Sequence, residues 1–176
     1  MFTLVIGGAA GGKSEFAEGL ILASPRLPRY YIATMEPLGP EGQARIARHR
    51  VLRRGKGFVT VERCTGLSTL RLPRRGAVLL ECLGNLTANE LYSPAGAGTA
   101  EGAVSAVLDG VEALLAQCGE LVAVSNEVFS GGRDYAGDTD RYLRALAAVN
   151  RALARRADRV CEVVYGLPYW HKGAGT

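Results

Sequence analysis

The sequence predicts an α/β chain built around a mainly parallel sheet, and two observations carry that reading. Apolar runs of strand length alternate with amphipathic segments of helix length, the pattern of successive βαβ units. The first run, Phe2-Thr3-Leu4-Val5-Ile6, also leads straight into Gly7-Gly8-Ala9-Ala10-Gly11-Gly12-Lys13-Ser14, which matches G-x-x-x-x-G-K-[ST] at every fixed position. A buried strand that delivers the chain into such a loop, with a helix after it, points to a P-loop NTPase-like three-layer fold. The loop's backbone N–H groups would converge on a phosphate chain. Gly12 would let the backbone come close to it. Lys13 has the reach for the β- and γ-phosphates, and the Ser14 hydroxyl suits Mg²⁺. The chain is therefore expected to bind a nucleoside triphosphate through residues 7–14.

The remaining elements follow in order. Residues 13–22 read as the helix opened by the loop, and 29–33, rich in Tyr and Ile, as the second strand. Residues 41–52 read as a helix with Ile46 on its apolar side, and 57–62 as a short β-branched run. Residues 77–82 form an apolar strand, with a loop over 93–98. Val104, Val107, Leu108, Val111, Leu114 and Leu115 recur at helical spacing within 103–117. Residues 121–125 are another apolar strand. Leu143, Leu146, Val149 and Leu153 share one face of a long helix over 139–157, and 159–164 reads as the last strand. His171 is expected in a short polar tail. No repeat or linker divides the chain, so residues 1–176 read as one catalytic domain. In a sheet of this kind ligands gather beyond the carboxyl ends of the strands, which brings the loops after Ile6, Ala33, Cys82 and Ser125 around one crevice.

Composition narrows the function. Apolar residues make up 48% of the chain and charged residues 22%, as in ordinary globular proteins. No apolar run nears the roughly 20 residues of a membrane span, and the first apolar stretch has no basic segment before it and ends at the loop. The reading is a cytoplasmic chain with neither a span nor a signal peptide. Cys64, Cys82, Cys118 and Cys161 are too scattered for a zinc site or a disulfide framework. The net charge of +4 comes almost wholly from arginine spread along the chain, with no aromatic-interleaved basic stripe. Small acidic substrates account for it better than nucleic acid.

Two further places carry chemistry. Mg²⁺ bound to a triphosphate wants a carboxylate at the end of a neighbouring strand, and Val78-Leu79-Leu80-Glu81 offers Glu81; Asn126-Glu127, after the 121–125 strand, is a second candidate. Spacing of four puts Arg45, His49 and Arg53 on one helical face. Guanidinium groups beside the ring would disfavour the imidazolium and would clamp phosphate, and a neutral imidazole can attack phosphorus. On spacing alone, a solvated basic face accounts for the same residues.

The motifs in series decide between these. They run through the phosphate loop, Tyr31-Ile32-Ala33-Thr34, Arg45-Ile46-x-x-His49-Arg50, Thr60-x-Glu62 and Leu79-Leu80-Glu81-Cys82-Leu83 with Asn89. Ser125-Asn126-Glu127-Val128, Asn150, Ala157-Asp158 and Gly166-x-Pro168 complete them. In this order and spacing the chain resembles the bifunctional adenosylcobinamide kinase/adenosylcobinamide-phosphate guanylyltransferase of cobalamin biosynthesis, from Val5 to about Lys172. The resemblance implies that a triphosphate, ATP or GTP, first phosphorylates the corrinoid alcohol. GTP then guanylylates His49, and GMP passes to the corrinoid phosphate. It implies catalysis by His49 with Lys13, and a GTP site of residues 7–14, Ala33, Thr34, Met35, Arg50, Val51, Leu52, Arg53, Glu62 and Glu81. Mg²⁺ would lie at Ser14 and Glu81. It further implies a homo-oligomer, typically a trimer, with active sites near subunit boundaries. The chain departs from the family's usual text at Phe129-Ser130-Gly131-Gly132-Arg133-Asp134-Tyr135, at Tyr142-Leu143-Arg144-Ala145 and at Arg151. A P-loop kinase that gives His49 no covalent part is the alternative, and a nucleotide-binding module without turnover is a further one.

Overall fold

The computed structural model describes residues 1–128 and 137–173, with the side chains of Arg45 and Leu52 left aside. The departure at 129–135 lies outside the described residues. Seven strands form one sheet: β1 (Phe2–Ile6), β2 (Arg29–Ala33), β3 (Phe58–Glu62), β4 (Ala77–Glu81), β5 (Glu120–Val124), β6 (Arg159–Val164) and β7 (Leu167–Lys172). Their order is β3-β2-β4-β5-β1-β6-β7. Every pairing is parallel except β6 with β7. The helices are α1 (Lys13–Ala23), α2 (Gly39–Arg53), α3 (Leu83–Tyr92), α4 (Ala100–Gln117) and α5 (Asp138–Arg156).

Strands buried on both faces need apolar side chains on both, and that is why β1, β4 and β5 read as continuous apolar runs. Leu4, Ile32, Val78, Leu80, Leu121 and Ala123 face one layer, with α4 contributing Val107, Val111 and Leu114 and α5 contributing Val149 and Leu153. Val5, Tyr31, Leu79, Val122 and Val124 face the other, where α1 supplies Ala17 and Ile21. The expected three-layer α/β fold results.

Two parts of the reading change. The run at 159–164 is not the last strand, because the chain turns at Tyr165-Gly166 and returns as antiparallel β7. His171 therefore sits on a strand, its Nε2 2.9 Å from Glu162 Oε2, rather than in a tail. Pro168 and the charged end of this segment hide the strand, since β7 is an edge and needs only one set of ladder bonds. Helix α3 had no helical signal either: Gly84, Asn85, Thr87 and Asn89 are poor helix formers. Burial overrides propensity there, with Leu83 and Leu86 fully buried and Thr87 Oγ1 returning a bond to Leu83 O at 2.8 Å. Elsewhere boundaries move by up to three residues, most at α4, where Thr99 caps the helix by accepting from Gly102 N.

Candidate active site

The site begins with the exit from β1. Gly12 takes φ +86° at the start of α1, a left-handed conformation that costs an L side chain energy. No side chain caps α1, so its first-turn N–H groups remain available to an anion. The loop is braced from behind by the β6–β7 turn: Gly166 N donates to Gly11 O at 2.9 Å, and a Cβ on Gly7 would lie 2.5 Å from Val163 O. Lys13 is buried and folded back, its Nζ donating to Gly8 O at 2.8 Å. Ser14 Oγ donates to Glu81 Oε1 at 2.7 Å, which joins the loop to the end of β4.

Glu81 stands at the floor of a crevice of about 300 Å³. Burial pushes its carboxyl up to about 7, with the Ser14 hydroxyl and the Lys13 ammonium only partly opposing the rise. Its Oε2 is buried and accepts no hydrogen bond. An unpartnered carboxylate oxygen beside a serine hydroxyl and a phosphate loop fits a divalent cation carried in on a nucleotide. Among the described residues no group of three or more His, Cys, Asp or Glu gathers to hold a metal by itself, so phosphate oxygens and water would complete its shell. Glu81 and Ser14 would hold it.

The opposite charge comes from α2. Arg53 is buried with its guanidinium 4.0 Å above the Tyr31 ring, a cation–π platform, and its Nε donates to nothing. His49 and Ile46, one and two turns earlier, line the same crevice. Arg50 pairs with Glu62 across to the end of β3. Lys56, just past α2, pairs with Glu18 of α1.

The expected residues thus divide. Ala9, Ala10, Lys13, Ser14, Ala33, Met35, His49, Arg53, Glu62 and Glu81 line the one crevice, together with Asn126. Gly7, Gly8, Gly11 and Gly12 shape the loop beneath it. Val51 is exposed on α2, and the side chains of Arg45 and Leu52 are outside the described residues. Thr34 does not open onto the crevice. It is fully buried; its Oγ1 accepts from Cys82 N at 2.8 Å, its N donates to Glu81 O at 3.0 Å, and its carbonyl accepts from Asn89 Nδ2 at 2.7 Å. In this structure Thr34 fastens the ends of β2 and β4 together. Sequence reasoning gave no site role to Tyr31, Ile46, Cys82, Asn85 or Val128, all on the crevice wall. Tyr31 reads as core in any strand, and only its partnership with Arg53 reveals another use.

Comparisons with known proteins bear on the fold and the family. The fold resembles that of the flagellar accessory protein FlaH from Methanocaldococcus jannaschii, at 11% identity and a TM-score of 0.52, over 97% of this chain and 77% of that one. The bifunctional adenosylcobalamin biosynthesis protein CobU of Salmonella typhimurium is 36% identical over 95% of this chain and 97% of its own length. CobU of Escherichia coli is 34% identical over 95% and 97%. The corresponding protein CobP of Pseudomonas aeruginosa is 33% identical over 98% of both. The family model for cobinamide kinase / cobinamide phosphate guanyltransferase matches residues 3–170. With a phosphate loop, a half-buried acid and a histidine-bearing helix around one crevice, the chain belongs to the cobinamide kinase / cobinamide phosphate guanyltransferase family.

Proposed function

We propose that this enzyme runs both reactions of its family in the one crevice, and that guanylyl transfer passes through a covalent bond between GMP and His49. One observation carries the reading. His49 lines the crevice that also holds Lys13, Ser14 and two groups of opposite charge with buried, unsatisfied atoms, Arg53 Nε and Glu81 Oε2. A buried unpaired guanidinium N–H and a buried unpaired carboxylate oxygen each cost stability until a ligand arrives. A nucleotide with its divalent cation satisfies both at once.

In the kinase half, the loop amides and Lys13 hold the triphosphate of ATP or GTP while the corrinoid alcohol attacks the γ-phosphorus. In the other half, a ring nitrogen of His49 attacks the α-phosphorus of GTP. An N–P bond forms, the bond to the α–β bridging oxygen breaks, and pyrophosphate leaves with that electron pair. The phosphate of the corrinoid then attacks the same phosphorus and the N–P bond returns its electrons to the ring. Arg53 and Lys13 face the charge that builds on the phosphate oxygens. Mg²⁺, held at Ser14 and Glu81, would neutralise the leaving phosphate.

The reading treats residues 1–176 as one catalytic domain in the cytoplasm, where its nucleotides are made. Among the described residues no helix is long and apolar enough to cross a membrane. It also takes the enzyme as a homo-oligomer, with a trimer as the expected state; Tyr165, Leu167 and Tyr169 on the exposed β6–β7 hairpin support a contact face, and sedimentation would read the state.

The test is incubation with Mg²⁺ and GTP labelled on the α-phosphate, then denaturing electrophoresis, with His49→Ala beside the wild type. Acid-labile, base-stable label on the wild type alone is the expected result. No label on a wild type that still binds GTP would overturn the covalent step and favour a plain P-loop kinase.

A further inference from the structure

One stretch of crevice wall carries none of the residues assigned above to the nucleotide. Asn126 lines it, together with Asn85 and Val128. Its position follows from sheet order, because β5 lies between β1 and β4. The residue that ends β5, Val124, pairs with Val5 on one side and Glu81 on the other. Asn126 therefore stands between the phosphate loop and Glu81. The flanking backbone is laced to the exit of β1, with Ser125 N donating to Val5 O at 2.8 Å and Glu127 N to Gly7 O at 2.9 Å.

The residue is held from the far side as well. Asn150 of α5 donates from Nδ2 to Asn126 O at 3.2 Å and accepts from Ser125 Oγ at 2.6 Å. Tyr142, also on α5, brings its hydroxyl beside the Asn126 carboxamide. Gly84 in α3 makes room for this pair: a Cβ there would lie 2.6 Å from Asn126 Nδ2 and 3.1 Å from Tyr142 Oη. Elements α3 and α5 thus combine to fix one small neutral side chain at the crevice.

Neutrality is informative at that place. A carboxylate would repel the γ-phosphate, and an ammonium would compete with Lys13 for it. A carboxamide does neither, yet offers both an acceptor and donors. That set matches an alcohol, which donates one hydrogen bond and accepts others. We propose that Asn126, oriented by Tyr142, holds the hydroxyl of the alcohol substrate in line with the γ-phosphate during the kinase half. Resting on the bifunctional reading above, this gives the second substrate its contact. The alcohol oxygen bonds to the γ-phosphorus, the bond to the β–γ bridging oxygen breaks, and the nucleoside diphosphate leaves with that electron pair. The hydroxyl proton ends on the transferred phosphoryl group. Positioning is the main thing an enzyme can supply to such a loose transfer, so the contact matters although no base is involved.

The experiment measures two rates on the full chain: ATP-dependent phosphorylation of cobinamide, and self-guanylylation with GTP alone. Asn126→Ala is expected to lower the ratio of the first to the second at least about tenfold, mostly in kcat, with the KM for ATP little changed. Tyr142→Phe, which keeps the ring packing, is expected to give a smaller loss of the same kind. Equal losses in both rates, or no loss in phosphorylation, would overturn the assignment while leaving the bifunctional reading intact. A wild type that labels on His49 but phosphorylates no cobinamide would overturn the kinase half and the assignment with it.

Discussion

The two walls of the crevice are built to different standards. The sheet-end wall grows out of β1, β4 and β5, in which Leu4, Val5, Val78, Leu79, Leu80, Leu121 and Val122 are all within 1% of full burial. Each such side chain contributes about 1.5–3 kcal/mol. The α2 wall, which carries His49, has one buried residue among those whose side chains are described, and it is Arg53. Its attachments include a cation–π contact, the exposed Arg50–Glu62 pair and, at its C-terminal end, Lys56 with Glu18. Leu38, before its first turn, is 73% exposed. The difference teaches where the molecule keeps its precision: the phosphate loop grows out of a rigid surface, while His49 rides on a helix held near its C-terminal end.

The sharpest cut between the walls is His49→Ala. Self-guanylylation should fall by at least about 10³-fold, with GTP affinity nearly kept, because the loop proposed to hold the triphosphate is untouched. Equal loss of binding, read by calorimetry, would mean the two walls are not separable. Gly7→Ala strikes the rigid wall. A Cβ 2.5 Å from the Val163 carbonyl must move either the loop or β6. About 1–3 kcal/mol of stability should go, and both activities with it, as denaturant melts and rate assays would register.

Arg53→Ala strikes the other wall. Losing a partly desolvated cation–π contact should cost about 0.5–2 kcal/mol of stability in denaturant melts, and self-guanylylation should fall as well because Arg53 faces the transferring phosphate in the proposed reaction. Amide exchange should quicken in α2 while β1 and β4 stay protected, and uniform quickening would erase the contrast. A fourth prediction concerns pH. With its carboxyl raised to about 7, Glu81 binds a proton more readily in the nucleotide-free fold than in the unfolded chain. Stability contributed this way is present below about pH 4.5 and is lost as pH rises towards 7. The slope is at most about 1.4 kcal/mol per pH unit. Glu81→Gln should flatten it in thermal melts. The smallest effect belongs to Arg50→Ala, since an exposed ion pair is worth less than about 1 kcal/mol; a larger loss of stability would mean α2 is held more firmly than its burial indicates.

The rigid wall was also the legible one. Strands buried on both faces leave continuous apolar text, and a phosphate loop needs glycines at fixed spacing, so β1, β4, β5 and residues 7–14 could be read directly. Glu81 was legible for the same reason, as the acid that closes an apolar run. His49, one of only two histidines in the chain, stands out in an arginine-rich helix, and the part proposed for it rests on the motif series. Tertiary choices were hidden. Thr34 looks like a ligand contact in the motif, and only the packing of β2 against β4 turns its hydroxyl inward. Asn126 could be marked as a polar residue after a strand, but not as one fixed by Tyr142 and Asn150, which lie on a helix about 20 residues onward. Helix α3 and strand β7 are specified by what they pack against rather than by local preference.

The place of β1 has a consequence for synthesis. The strand made first lies between β5 and β6, and its loop leans on the turn at Gly166, so its neighbours leave the ribosome more than a hundred residues later. A nascent chain can assemble the β3-β2-β4 portion early, but it has no finished phosphate cradle until that turn has emerged. Ribosome-bound chains ending before Arg159 should therefore fail to retain nucleotide, and the capacity should arrive at once when β6 and its turn are released.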